Sequence, residues 1–493
     1  MTDATPTIWL NFDSHPTAAV GDQMMQMASE LYPLHRSLTG SGVRDTLRII
    51  SRSVPIELRS VPSGQQVLDW QIPDEWKIGD AWVKNSSGKK LIDLAESTLH
   101  VVGYSTGIDQ MVTCHQLAGH VHTLPEHPDW IPYRTSYYRP DWGFCVRHRD
   151  WQAMVRQSPD QPLHVRIDAQ HQPGRLDYGE LVLPGESKDE FLISTHICHP
   201  SLANDNLSGI VVAAQLARLL AEQPNRPMTF RFLFIPATIG AITWLSLNSS
   251  LLKHILAGLV LSNLGDAGPL TYKRSRRQNA LIDQVAADTL ARLAPGSQLR
   301  DFTPWGYDER QYCSPGFNLP VGRLTRTPEA EYPQYHTSAD DLSLISAESL
   351  AQSLSMIARI ITQFTAQAGG EPHAKVTAIQ PCWSPPSSGE CWDRECKQTN
   401  THHSQVFDST GRLRRCYLNL RPCGEPKLDR YGLYRSAGQT LKPELSRAIL
   451  WMLSLSDGQT SLDDIATRSG CDPRLLSAAT ERLLQCKLLK ELP

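Results

Sequence analysis

The segment FLISTHICHPSLANDNLSGIVVAAQLARLLA, residues 191–221, constrains the fold more than any other part of the chain. A short apolar run, Phe191 to Ser194, leads into a polar stretch holding His196, Cys198, His199, Asp205 and Asn206; Gly209 and an amphipathic stretch through Leu220 follow. The pattern reads as a buried strand whose C-terminal end delivers a polar loop, then a helix that anchors the loop. Open α/β sheets carry their ligand sites at that end of their strands. Any one of these polar residues alone reads as part of a hydrogen-bonded turn. Five of them within eleven residues at a strand end read as a site for zinc or a similar divalent ion, which takes imidazole and carboxylate donors.

The rest of the chain supplies a matching scaffold. After Trp151 the strand-like runs LHVRIDA, GELVLPG, FLIST, MTFRFLFIP, AGLVLSNL and PVGRLTR alternate with helical patterns at 207–222, 240–253, 278–293 and 347–366. That alternation predicts an α/β sheet covered by helices. Residues 17–52 also look helical, whereas 54–140 hold short alternating runs between Pro, Gly, Asn and Ser clusters, as in a small antiparallel β domain. The expectation is an α/β core made of 16–53 and 141–370, interrupted by an inserted β-rich domain at 54–140. Residues 371–440 read as a linker or long loop. Residues 441–493 give three amphipathic helices, the last two separated by GCDP at helix-turn-helix spacing.

Composition narrows the partners. A chain of 493 residues calls for several domains. Its formal net charge of −3, without long runs of either sign, gives no electrostatic argument for nucleic acid or an anionic membrane. No segment reaches the roughly 18 apolar residues of a membrane span, and the N-terminus lacks a secretory pattern. Eleven cysteines spread over the chain do not look like a disulfide framework. A cytoplasmic protein with a small-molecule or peptide substrate is expected, with a homo-oligomer left open. A DNA-binding regulator is the rival class, yet its recognition helix near 473–487 has few basic side chains, and phosphate neutralisation dominates DNA affinity. Protein docking or dimerisation is the better use of that domain.

Further chemistry lies after later strands. NLGDAG presents Asn263 and Asp266, and YPQYHTSADDLS presents His336 and Asp340. His336 reads as a ligand and Asp340 as a helix N-cap. A metal hydrolase also needs a proton-handling group; Asp308 and Glu309 are candidates, with structural ion pairing as the competing reading. Arg274 and Arg276 belong to the one dense basic patch and can meet a substrate anion, or merely start a helix in solvent. His115, His120 and His122 offer a second ligand set or are ordinary half-buried residues. Cys382, Cys391, Cys396, His402, His403, Cys416 and Cys423 offer a structural zinc site, although their spacing fits no standard finger. The run YRTSYY either walls the substrate pocket or packs the insertion against the core.

Several longer motifs, in order, resemble an aminopeptidase-like family of the zinc aminopeptidase and glutaminyl cyclase clan, often met near polysaccharide or natural-product biosynthesis genes. They are HICHPSLANDNLSG, RFLFIPATIGAITWLSLN, YKRSRRQNALID, YDERQYCSPGFNLPV and YPQYHTSADDL. The likeness extends through SLTGSGVRDTL, the insertion and GEPKLDRYGLYR, so it covers nearly the whole chain. It implies a zinc-aminopeptidase-like mixed sheet flanked by helices, an inserted small β domain and a C-terminal winged-helix domain. It also implies one or two zinc ions. His196 resembles the first histidine of the metal motif, with His199 a close alternative for the same position. Asp205 resembles the bridging or sole aspartate, Asp266 the later aspartate (Asn263 fits that register equally), and His336 the closing ligand. Tyr335, Arg274 and Arg276 are the expected substrate contacts. The implied activity is cleavage of an amide next to a free amino group in a small peptide or aminoacylated biosynthetic intermediate.

Two positions depart from the family pattern. Relatives carry Pro-Glu-Thr-Ile-Gly where this chain has Pro236-Ala237-Thr238-Ile239-Gly240, and Pro-Glu-Tyr-His where it has Pro333-Gln334-Tyr335-His336. Loss of a general base costs roughly two to four orders of magnitude in rate. A catalytically impaired metal- or ligand-binding homologue is therefore the alternative to an enzyme.

Overall fold

A computed structural model describes residues 17–157, 160–368, 415–433 and 442–492. Its centre is an eight-stranded mixed sheet. The strand order is Glu57–Pro62, Arg175–Leu183, Met228–Ile235, Ser187–His196, Ile255–Leu261, Val321–Thr325, Thr271–Lys273 and Gln298–Arg300. The strand Ser187–His196 lies between two parallel neighbours, and all eight residues of Met228–Ile235 are buried. Continuous burial is what layers on both faces of a sheet impose, and here it takes in even the polar Thr229 and Arg231.

The two faces carry different layers. Helices Thr17–Leu31, Ser41–Ser51, Gly209–Ala221, Leu281–Leu293 and Ala347–Ala368 cover one face, with Met24, Leu47, Leu216, Leu290 and Ile357 in a shared core. On the other face, residues of the insertion, of the helix Ile239–Leu247, of the loop around Phe302–Leu319 and of the C-terminal domain form one continuous core. Trp76, Trp244, Phe302, Leu428 and Trp451 all belong to it. The winged-helix domain has a three-stranded sheet, Asp457–Ser461, Cys416–Asn419 and Leu489–Glu491, packed with helices Pro443–Leu455, Leu462–Ser469 and Pro473–Gln485.

The predicted α/β, β-rich and winged-helix regions are all present, but their boundaries move. Glu57–Pro62 pairs with Arg175–Leu183 in the large sheet, so it belongs to the core although it was expected in the insertion. Leu163–Gln172 pairs instead with Glu75–Lys84 and Ile108–Val112 of the insertion's four-stranded sheet. Its alternating burial marks one solvated face, the antiparallel pattern. The strand Cys416–Asn419 lies inside the segment expected to be linker, so the winged helix begins well before residue 441. Of the Cys/His-rich stretch, Cys382, Cys391, Cys396, His402 and His403 lie outside the described residues. Among the described residues no helix is long and apolar enough to cross a membrane.

Candidate metal centre

The strand Ser187–His196 ends on His196, and the chain then turns through His199 into the short helical turn Ala203–Ser208. Gly209 must be glycine here. An added Cβ would lie 2.4 Å from Asn206 Oδ1 and 2.7 Å from the Leu261 carbonyl oxygen. The turn is therefore packed tightly onto the neighbouring strand end.

Three histidines surround one carboxylate. His196 Nε2 lies 2.9 Å from Asp205 Oδ1, His336 Nε2 3.0 Å from Asp205 Oδ2, and His199 Nε2 3.9 Å from the same Oδ2. Among the described residues, the one group of metal-capable side chains is His196, His199 and Asp205, with ligand atoms within 4.8 Å of one another. His336 arrives from the loop after Val321–Thr325. His196 and Asp205 have fully buried side chains, whereas that of His336 is 33% exposed, so the cluster opens on the His336 side.

The donor set fits a divalent cation on two grounds. Asp205 Oδ2 and His336 Nε2 are buried and face each other, yet neither completes a hydrogen bond, and His196 Nδ1 is likewise unpartnered. Unpaired buried polar atoms are costly, and a cation bound between Asp205 and His336 would satisfy the first two. Charge points the same way. Burial pushes the His199 imidazole down to about 3 against the pull of Asp205. Burial would raise the Asp205 carboxyl, but the neighbouring His199, His196 and His336 hold it well below the usual range. A neutral imidazole beside an ionised carboxylate is the state that binds metal.

Surrounding groups hold this loop in place. Asp340 accepts from the backbone N–H of Asn204 (2.6 Å) and Asp205 (3.0 Å) and from the Tyr332 hydroxyl (3.2 Å). It is therefore a clamp on the metal turn and not the N-cap of the next helix, which starts at Ala347. Burial, helped by the Asp205 charge and opposed by those donors, lifts its carboxyl to about 7. Asn206 donates to Thr195 Oγ1 and the His196 carbonyl, and Arg36 donates to the His199 carbonyl at 2.8 Å. His336 has φ 56, a conformation costing about 1–3 kcal/mol outside glycine. The insertion braces it: Tyr133 N–H donates to the His336 carbonyl at 2.7 Å, and Ser338 N–H to the Ile131 carbonyl at 2.8 Å. The Tyr133 ring packs 5.3 Å from that of His199 and 5.1 Å from that of His336. Tyr133 of the YRTSYY run thus forms part of the site wall.

Other expected site residues fall differently. Asp266 does not join the cluster; it accepts from Asn204 Nδ2, Gly268 N–H and Thr327 Oγ1 and N–H, so it supports the turn from behind. Asn263 donates to the Tyr332 hydroxyl. Tyr335 does line the site, stacked 3.9 Å from the His336 ring. Arg274 faces Asp301 at 3.7 Å, just beyond the ends of the paired strands Thr271–Lys273 and Gln298–Arg300. Arg276 is taken by Asn318, the Ser454 carbonyl and Asp457, which tie the C-terminal domain to the core, so it is not free for substrate. His120 stacks on Trp142 and bonds its carbonyl, and no second ligand group forms among the described residues.

The two acidic candidates for proton handling separate clearly. Glu309 pairs with Lys273 at 2.8 Å and lies 3.4 Å from Arg323, and it accepts from Tyr307 N–H. Burial would raise its carboxyl, but those two cations hold it at about 2; it is a structural ion. Asp308 is fully buried with neither oxygen partnered. Burial, with the neighbouring Glu309 charge, pushes it well above the carboxylate range. Sequence reasoning missed Tyr307, whose hydroxyl donates to Asp205 Oδ1 at 3.0 Å and whose ring stacks 4.5 Å from His196. Its signal was adjacency to Asp308 and Glu309 in the YDERQ motif.

A family model described as a domain of unknown function (DUF4910) matches residues 25–367, and a winged helix-turn-helix model matches residues 415–491. The chain belongs to the DUF4910 family. One relative from Clostridium acetobutylicum, named for polysaccharide biosynthesis with an aminopeptidase-like domain, is 38% identical over 96% of this chain and 97% of its own. A crystal structure of a protein named as a peptidase from the same organism is 36% identical, covers 97% of both chains and has a TM-score of 0.68. The zinc aminopeptidase BSAP from Bacillus subtilis is similar at 13% identity, with a TM-score of 0.52 over 69% of this chain and 94% of its own. The DUF4910 core thus shares the fold of that zinc aminopeptidase.

Proposed function

We propose that this DUF4910 protein is a metal-dependent hydrolase of aminopeptidase type. Its substrate would be an amide next to a free amino group in a small peptide or aminoacylated biosynthetic intermediate. The observation that carries this reading is the single buried carboxylate, Asp205, approached by His196, His199 and His336. The relative named for polysaccharide biosynthesis supports a biosynthetic setting.

These four side chains would hold the ion, with zinc the best match to their nitrogen and oxygen donors. A bound ion of this kind polarises the scissile carbonyl and acidifies a water. The chain's own groups then do the rest. Tyr307 and Asp340 fix the direction of Asp205. Asp308, buried next to the Asp205-bonded Tyr307 and pushed above the carboxylate range by burial, is our candidate to donate a proton to the leaving nitrogen. The family resemblance implies a Glu at the position of Ala237, so on this reading the step that removes a proton from the attacking water is the weak one.

That alanine also favours a second reading, a homologue that binds metal and ligand without efficient turnover. One experiment separates the two. Metal-loaded protein is assayed on leucine 4-nitroanilide with and without chelator, beside Ala237→Glu. Chelator-sensitive turnover by the natural protein supports the enzyme. If turnover appears only in Ala237→Glu, with a gain of about 100-fold or more, the natural protein is a binding homologue. No turnover in either form would sink the hydrolase reading.

A further inference from the structure

The C-terminal domain meets the metal centre through a connected set of side chains. From His199 and His336 the path runs to Tyr133, whose hydroxyl lies 3.2 Å from that of Tyr137. Tyr137 and the adjacent Tyr138 are half-buried. The backbone of Tyr138 has φ 63. For a bulky residue this is an unfavourable conformation, and such strain gathers where surroundings impose it for a purpose. Trp70 packs edge-on against the Tyr138 ring at 5.2 Å, and Lys427 of the C-terminal segment places its ammonium 5.2 Å from the same ring.

Lys427 is firmly positioned. Its backbone N–H donates to Asp69 Oδ2 at 2.8 Å, while Asp69 Oδ1 accepts from Tyr431 at 3.1 Å. Trp70 Nε1 donates to the Glu425 carbonyl at 2.6 Å. On the core side, Glu425 N–H donates to Gln311 Oε1, Gly424 N–H to Ser314 Oγ, and Glu425 pairs with Arg310. The segment is thus pinned to the insertion and to the Asp308-bearing loop at once. The charge partner of Lys427, Asp429, is 3.4 Å away and largely in solvent, so it neutralises the ammonium only weakly.

We propose that the C-terminal domain completes the substrate cleft, and that Lys427 is a specificity residue that receives an anionic group, carboxylate or phosphate, on the leaving-group side of the substrate. This rests on the hydrolase reading for its assignment of sides. A lysine ammonium above an aromatic ring offers a cation with remaining hydrogen-bond donors beside a flat apolar surface. An anionic ring or sugar-like group would use both.

The test uses full-length, metal-loaded protein and three reduced-amide probes, each a leucyl CH2–NH-aryl compound, with the ring bare, carboxylated or phosphorylated. Calorimetric titration of the natural protein is expected to show at least one charged probe binding about 10-fold tighter than the bare one, or about 1.4 kcal/mol. Which one it is names the group. Lys427→Met should erase the preference and Lys427→Arg should keep most of it, with metal content and melting temperature unchanged in both. Equal affinity for all three probes, no binding of any, or a preference that survives Lys427→Met would overturn the proposal. Turnover of leucine 4-nitroanilide is measured separately. Its absence alongside a Lys427-dependent preference would remove the hydrolase but keep the anion site.

Discussion

Asp205→Asn is expected to lower metal affinity by more than the roughly 10–100-fold that follows loss of an outer supporting partner. The substitution keeps the shape of the side chain but removes the charge that all three histidines face. Asp205 is fully buried, so no neighbouring group or solvent takes its place. The amide would also meet His196 Nε2 and the Tyr307 hydroxyl, which approach the same oxygen at 2.9 and 3.0 Å. Equilibrium dialysis against a chelator buffer checks this, with circular dichroism confirming that the variant folds. Affinity within a few-fold of the natural protein would place the metal elsewhere.

Glu309→Gln is expected to destabilise the fold by about 3–5 kcal/mol at neutral pH, the usual cost of leaving one half of a buried ion pair behind. Lys273 and Arg323 are both nearly inaccessible and both face this carboxylate. Burial already drags the Lys273 ammonium below its ordinary range, with Glu309 resisting that pull. The pH dependence has a definite sign. The Glu309 carboxyl sits at about 2 in the fold against an ordinary 4.5. Its stabilisation is therefore complete above about pH 4.5 and is lost as the pH falls towards 2. Urea denaturation should show a weaker acid slope in Glu309→Gln over that window. The variant should also loosen Tyr307, whose N–H the carboxylate accepts. A change below 1 kcal/mol with an unaltered acid slope would refute this account of the ion cluster.

What the sequence revealed, and what it hid, has a physical pattern. His196, His199 and Asp205 were legible because strand, turn and helix bring them together within a dozen residues. His336 was legible from the family-like motif, since no local rule joins it to residue 196. Asp266 was misjudged: a carboxylate after a strand end can face either the site or the turn behind it, and Asn204 draws it to the turn. Asp340 offered the same ambiguity and became a clamp. Arg276 looked like an anion receptor because its partners, Ser454 and Asp457, are remote in sequence. Boundaries failed where pairing was non-local. Glu57–Pro62 looks like part of the insertion until it meets Arg175–Leu183, and Cys416–Asn419 looks like linker until strands on either side frame it.

Zinc K-edge X-ray absorption of the purified full-length protein tests the central claim most directly. The account predicts bound zinc with nitrogen and oxygen ligands only, at about 2.0–2.2 Å, and a signal that disappears in Asp205→Asn. Absence of stoichiometric metal, or a sulfur shell near 2.3 Å that persists in Asp205→Asn, would contradict it by placing the ion with the cysteines instead of at Asp205.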